Sequence, residues 1–191
     1  MNRGFGRIVA VLVAVNLIAS AGPAAAGAAE PASRAAVPCR GADEVPTSAT
    51  LHRAAKATLC LLNEQRTRRG LPAFRADRKL EHSARRYAHS MVSRHFFSHV
   101  APNGESMADR MHSSGYLRGG HGGFGENIAW GSGTWATPDV IVRNWMHSAS
   151  HRANILSRRY RDIGVGIVPG APTGRVPDAS SYVTHFGYRS H

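Results

Sequence analysis

The chain has 191 residues, enough for one domain of ordinary size. It carries 24 Lys and Arg against 12 Asp and Glu, a formal net charge of +12, and only Lys56 and Lys79 of the basic residues are lysines. The charges are spread among Asp, Glu and His with no nucleic-acid module of recognisable type, so a specific nucleic-acid reader is excluded.

The first stretch does not belong to the fold. Arg3 and Arg7 flank a short basic region, an apolar run opens at Ile8 and ends near Ala21, and small residues follow at Ala24, Ala25 and Ala26. This is the layout of a secretory signal peptide cleaved after Ala26. A membrane anchor is the competing reading, but Asn16 interrupts the run and leaves it too short to span a bilayer. Cys39 follows Val37 and Pro38 rather than the small residues a lipidation signal needs. No later segment is apolar enough to cross a membrane, so the sequence predicts a secreted, extracellular chain. Removing Arg3 and Arg7 still leaves a net charge of +10. Two readings of that charge stay open: affinity for an anionic cell-envelope polymer or lipid head groups, or a genome that writes Arg often.

Export also gives the cysteines a meaning. Cys39 and Cys60 are an even count in an oxidising compartment, so one disulfide is expected, tying the arm at 27–47 to the first helix. That arm is rich in Ala, Pro and Ser and reads as extended, and the domain proper is expected over 48–191. A first helix runs through Arg69, with Leu51, Ala55, Leu59 and Leu62 at helical spacing, and Gly70-Leu71-Pro72 ends it. Asp77 caps a second helix with the stripe Leu80, Ala84, Tyr87, Ala88 and Met91. After a turn at Pro102-Asn103-Gly104, Ser106 and Asp109 form a capping box for a short third helix closed by Gly115.

Gly120, Gly122 and Gly125 match a formal G-x-G-x-x-G, but the segment before is helical and Glu126 to Trp130 after it reads as a strand. A nucleotide site needs the opposite order, so a flexible loop is expected instead. Thr137, Pro138 and Asp139 open a fourth helix carrying Val142, Trp145 and Met146, with Ser150 recapping a short continuation to Leu156. Ile163, Val165 and Ile167 alternate with Gly164 and Gly166, a strand with one bare face that a helix or ligand can approach closely. Tyr182 to Phe186 is the last strand. Four helical elements with about three strands imply a small sheet covered by helices, an α+β fold.

Four ordered motifs carry a family resemblance. They are Phe97-Ser98-His99, Gly125-Glu126-Asn127-Ile128-Ala129, Trp145 through Leu156, and Ile163-Gly164-Val165-Gly166, with Leu62 to Arg66 similar to the family's opening helix. Together they resemble the bacterial, SCP-like extracellular branch of the CAP superfamily, the cysteine-rich secretory, antigen 5 and pathogenesis-related class 1 proteins. The resemblance implies a three-layer α-β-α sandwich with a small, mostly antiparallel central sheet and a binding cleft. Many members line that cleft with two histidines and two glutamates that hold a divalent metal. His99 and Glu126 match two of these four positions; the other two fall at Ser148 and Tyr182, and His151 lies one turn beyond Ser148.

The cleft is therefore expected to contain His99, Glu126, Ser148, His151 and Tyr182. His99, Glu126 and His151 form a candidate set for Zn²⁺ or another divalent cation. The plainer alternative is a buried Glu126 braced by histidines. The two imidazoles should titrate low when buried, and higher beside an ionised Glu126. Ser148 and His151 lie one turn apart, but no nucleophile elbow accompanies them, and no catalytic residue is assigned. The expected function is a secreted binding or interaction domain whose ligand is a lipid or a divalent metal; the alternative is a metal-dependent hydrolase acting on peptide or cell-wall material.

Overall fold

A computed structural model describes residues 39–118 and 121–190. The expected signal peptide and most of the expected arm lie outside them. The described part of the arm, residues 39–47, has no helix or strand, and Cys39 is disulfide-bonded to Cys60 with the Cα atoms 5.6 Å apart. Among the described residues no helix is long and apolar enough to cross a membrane.

Helix α1 spans Leu51–Thr67. Its buried row is Ala54, Thr58, Leu62 and Arg66, one position round from the expected stripe, and Leu51, Ala55 and Leu59 pack at the edge of the core. The rotation is fixed by Arg66. Its buried guanidinium donates to the carbonyls of Pro72 (2.8 Å), Ile155 (2.7 Å), Ser157 (2.9 Å) and Tyr160 (3.2 Å) and lies over the Phe74 ring. Burial, and then the charge of Arg161, lowers its pKa to about 10. A cation can be enclosed in this way because each of its three nitrogens meets at least one backbone oxygen.

A two-residue strand β1 (Arg75–Ala76), not expected from sequence, pairs parallel with β3. Asp77 then caps α2 (Arg78–Ser93) by accepting from the Lys79 and Leu80 amides. Helix α3 (Met107–Ser114) has the full capping box of Ser106 and Asp109, and Gly115 ends it in the left-handed region at φ 69°. Strand β2 spans His121–Ser132 and a 3₁₀ turn follows at Gly133–Ala136. Helix α4 covers Pro138–His147. The continuation α5 (Ala149–Ile155) starts after Ser148, so the recap lies two residues earlier than Ser150. Strands β3 (Asp162–Pro169) and β4 (Ala179–Ser190) complete a four-stranded sheet of order β1-β3-β4-β2, antiparallel except at β1.

The glycine segment corrects one expectation. Gly122, Gly123 and Gly125 belong to β2 rather than to a loop, and a side chain at each would run into Tyr188 or Tyr160. The absence of Cβ atoms lets the outer strand lie against the Tyr188 and Tyr160 rings at Gly123 and Gly125 and against the Tyr188 backbone at Gly122. The bare face of β3 serves the same purpose on a helix: a Cβ at Gly164 would enter the backbone of Leu80 and Glu81, and one at Gly166 that of Ala84 and Arg85.

The sheet thus separates two cores. On one face Ile163, Val165, Ile167, Tyr182 and Phe186 meet α1, α4 and α5 around Leu62, Trp145 and Ile155. On the other, Ile128, Val168 and Val183 meet Ala84, Tyr87, Ala88 and Met91 of α2. This is the three-layer α-β-α arrangement, and strand alternation alone decides which layer each side chain enters.

Candidate functional site

Glu126 sits on β2 directly opposite His185 of β4. It points to the α2 side together with Ile128 and Val183. Its side chain is 2% exposed and its two oxygens have three partners. His99, from the turn after α2, places Nδ1 2.7 Å from Oε1. Arg110 of α3 donates to Oε2 at 2.8 Å, and His185 places Nε2 2.9 Å from the same oxygen. Burial by itself would push the Glu126 carboxyl up, but the hydrogen bonds from His185 and His99 and the charges beside it hold the pKa at about 2. The carboxylate is ionised at any physiological pH.

The histidines differ in environment and hence in protonation. His185 is fully buried, and that burial outweighs the pull of Glu126, so its pKa is lowered. It is neutral near pH 7 with the Nε2 proton directed at Glu126, which leaves its Nδ1 buried without a partner. His99 is 56% exposed on its side chain, and the hydrogen bond to Glu126 raises its pKa in spite of partial burial. His151 is lowered, first by burial and then by the charge of His99. The two responses that burial and a near carboxylate should produce therefore fall on different histidines.

A second layer of contacts fixes the first. Arg110, 4% exposed, also donates to the carbonyls of His99 (3.0 Å) and Glu105 (3.2 Å), and its guanidinium lies 3.4 Å from the centre of the Tyr87 ring. The Tyr87 hydroxyl donates to the Ser98 carbonyl at 2.7 Å. From the opposite layer, Asn154 of α5 donates to the Glu126 carbonyl (3.1 Å) and to Asn127 Oδ1 (2.9 Å), and Asn127 donates to the His151 carbonyl (3.1 Å). Asn154 and Asn127 therefore brace the strand that presents Glu126.

Of the sequence-expected cleft residues, the fold brings His99 and Glu126 into contact. His151 stays close enough to feel the charge of His99, but its ring lies beside Trp145 (centroids 6.5 Å apart) and makes no hydrogen bond to Glu126. Ser148 joins α4 to α5 and its Oγ faces that of Ser150 at 3.4 Å. Tyr182 is corrected outright. It points to the α1 and α4 side of the sheet, where its hydroxyl donates to the Ala136 carbonyl at 2.6 Å. A residue three positions from His185 on one strand must face the other way. Trp135, on the 3₁₀ turn, is 68% exposed.

The expected metal set meets a specific obstacle. The cation beside Glu126 is the Arg110 guanidinium, fixed by four contacts. Among the described residues, no three His, Cys or carboxylate ligand atoms around Glu126 lie within 4.8 Å of one another; the group that meets this limit is Cys39, Cys60 and Glu64, whose sulfurs form the disulfide. A divalent ion on Oε2 would stand against a buried positive charge. The side chains in this arrangement do not fit a metal, and no chemistry is derived through one.

The α-β-α sandwich is the fold that the sequence motifs imply, and the family comparison agrees with it. Residues 59–185 match that of the cysteine-rich secretory protein family, CAP, and the chain belongs to this family. The uncharacterized protein YkwD of Bacillus subtilis (strain 168) is 37% identical over 113 residues, 59% of this chain and 42% of the relative. The membrane protein YlbC of the same organism is 31% identical over 115 residues, 59% of this chain and 31% of the relative. The chain thus spans well under half the length of these curated relatives. Among solved structures, an extracellular SCP-domain protein of Bacillus anthracis superposes with a TM-score of 0.60 at 23% identity, covering 74% of this chain and 43% of that one. An outer surface protein of Borrelia burgdorferi gives 0.59 at 21%, covering 71% and 92%. At these identities the two structures speak for the fold.

Proposed function

We propose that the chain is an exported, non-catalytic binding domain whose recognition surface is the turn carrying His99. The observation that carries the reading is the state of Glu126: ionised, paired from three sides and only 2% exposed, it holds the site together and is shielded from bulk water. What it presents outward is the free edge of His99 between two exposed apolar residues, Phe97 (46%) and Val100 (50%). An imidazole framed by apolar side chains suits a ligand with a polar group on an apolar body, such as a lipid, better than a bare ion. Extracellular and outer-surface neighbours of the same fold support the address.

One observation favours a second reading. Nδ1 of His99 is held by Glu126, which leaves Nε2 free on the exposed edge, the disposition of a general base oriented by a carboxylate. Against it, no hydroxyl or thiol nucleophile of the described residues hydrogen-bonds His99. One experiment separates the two. Purified protein is mixed with phosphatidylcholine vesicles, and separately with casein and with peptidoglycan, using wild type, Phe97→Ser/Val100→Ser and His99→Ala. The binding reading expects saturable vesicle uptake that the double serine variant loses, and no turnover that depends on His99. Peptide or cell-wall hydrolysis abolished by His99→Ala in a folded protein would overturn it in favour of the second.

A further inference from the structure

Behind the Glu126 site, on the outer side of α2 and α3, lies a separate pocket of about 520 Å³. Its long wall is one face of α2 and the residue that closes it. His82, Arg86, Ser90 and Arg94 all line it. They recur every four residues, so hydrogen-bond donors are set about 6 Å apart along the helix axis. Across from them stand Arg110 and Asn103. Among the described residues no carboxylate lies within 4.0 Å of the Arg86 or Arg94 side chains. Nε of the buried Arg110 has no hydrogen-bond partner. Glu105 is the one acidic side chain in the lining, so the pocket is positive even after Arg110 is offset by Glu126.

We propose that this pocket is an anion site for a polyol phosphate chain, in which phosphodiesters two repeats apart meet Arg86 and Arg94, the one between them meets Ser90, and flanking hydroxyls meet His82 and Asn103. The argument rests on spacing. A single phosphate would engage one end of a ladder about 12 Å long from Arg86 to Arg94, whereas a chain of three-carbon polyol phosphodiesters, repeating at an interval comparable to one rung, spans the two arginines in two repeats. Arginine suits the task because its planar fork takes two phosphate oxygens at once. The pocket also separates this proposal from a diffuse effect of net charge: positive residues occur all over the chain, but here two arginines without a carboxylate partner line one concave wall with Ser90 between them. It does not rest on the lipid reading above, since Phe97, His99 and Val100 do not line this pocket.

The test uses isothermal titration calorimetry of the purified chain at low salt with a glycerol phosphate oligomer, with inorganic phosphate, and with phosphatidylglycerol vesicles. The variants are Arg86→Gln/Arg94→Gln and a charge-matched control on the opposite layer, Arg143→Gln/Arg152→Gln, both checked for unchanged melting. The oligomer is expected to bind with one-to-one saturation, at least tenfold tighter than inorganic phosphate. Affinity should fall at least tenfold in the first variant and less than twofold in the control. Vesicle binding with the same variant pattern would identify a lipid head group as the source of the phosphate; its absence would identify a free or wall-borne polymer. Equal losses in both double variants, or no saturation by the oligomer at millimolar concentration, would overturn the proposal.

Discussion

Glu126 shows how one buried carboxylate both organises and stabilises a site. Its pKa lies at about 2 in the folded chain against an ordinary value of 4.5. The group is thus more acidic folded than unfolded, and its contribution is complete above pH 4.5 and disappears as pH falls toward 2. The difference corresponds to ~3 kcal/mol at neutral pH. Glu126→Gln should therefore lower the unfolding free energy by about 3 kcal/mol at pH 7, since it leaves the Arg110 charge buried and unpaired. His99→Ala, at an exposed partner, should cost under about 1 kcal/mol. Urea denaturation of both variants checks this, and similar losses in the two would remove Glu126 from the centre of the network. The three histidines provide a sharper assay. NMR titration should place His99 above 6.5 and both His151 and His185 below it. Glu126→Gln should bring His99 down toward 6.5; if His99 already titrates with His151 in the wild type, the 2.7 Å contact is not present in solution. His99 and Glu126 were legible because each sits in a short ordered motif. His185 was not, since the family pattern directs attention to Tyr182, and only the register of β4 against β2 shows which of the two faces Glu126. Arg110 gave no local signal at all: an arginine inside a short polar helix reads as solvent-facing until Tyr87 and Glu126 are seen across from it.

Elements were read well wherever a residue acts on its own backbone. Asp77, Ser106 and Gly115 cap or close helices through contacts within a few residues, so sequence places those ends correctly. Ser148 in place of Ser150, and the strand in place of a glycine loop at 121–125, depend on contacts from distant parts of the chain. Neither side chain caps α5 by a hydrogen bond, and the glycines are selected by Tyr160 and Tyr188 rather than by any turn. β1 is too short to show a period. The glycines of β3 were legible for the opposite reason, because alternation with Ile163, Val165 and Ile167 exposes a face with nothing on it. That face sets the distance between α2 and the sheet, and with it the height of the turn bearing His99 above Glu126. Gly166→Ala should force α2 away from the sheet, because the added methyl meets backbone atoms rather than a flexible side chain. The expected loss is about 3 kcal/mol, together with broadening or a shift of the His99 resonance. A variant with wild-type stability would mean that α2 rides further from the sheet than this packing allows.

At the scale of the molecule, the two half-cores on either side of the sheet account for the stability of the domain, while its described N-terminal end depends on a covalent tie. The segment from Cys39 to the start of α1 is made of turns, and beyond them its charged attachment is Arg53 to Glu44 at the surface, with both side chains about half exposed. Such a pair contributes little. The backbone adds one long-range bond, from the Asp139 amide to the Ala42 carbonyl at 2.8 Å, so the arm also covers the start of α4. The disulfide closes a loop over a sequence separation of 21 residues, which in the chain-entropy account stabilises the fold by ~3 kcal/mol through restriction of the unfolded chain. Reduction or Cys39→Ser/Cys60→Ser should then lower the melting temperature by roughly 10 °C. Because neither cysteine touches the Glu126 network, the low pKa of Glu126 and the high one of His99 should survive reduction unchanged. Calorimetry with and without reductant, followed by histidine NMR of the reduced protein, tests both halves. A loss of the His99 shift on reduction would show that the arm holds the site as well as the end of the chain, and would make the site dependent on the oxidising side of the membrane.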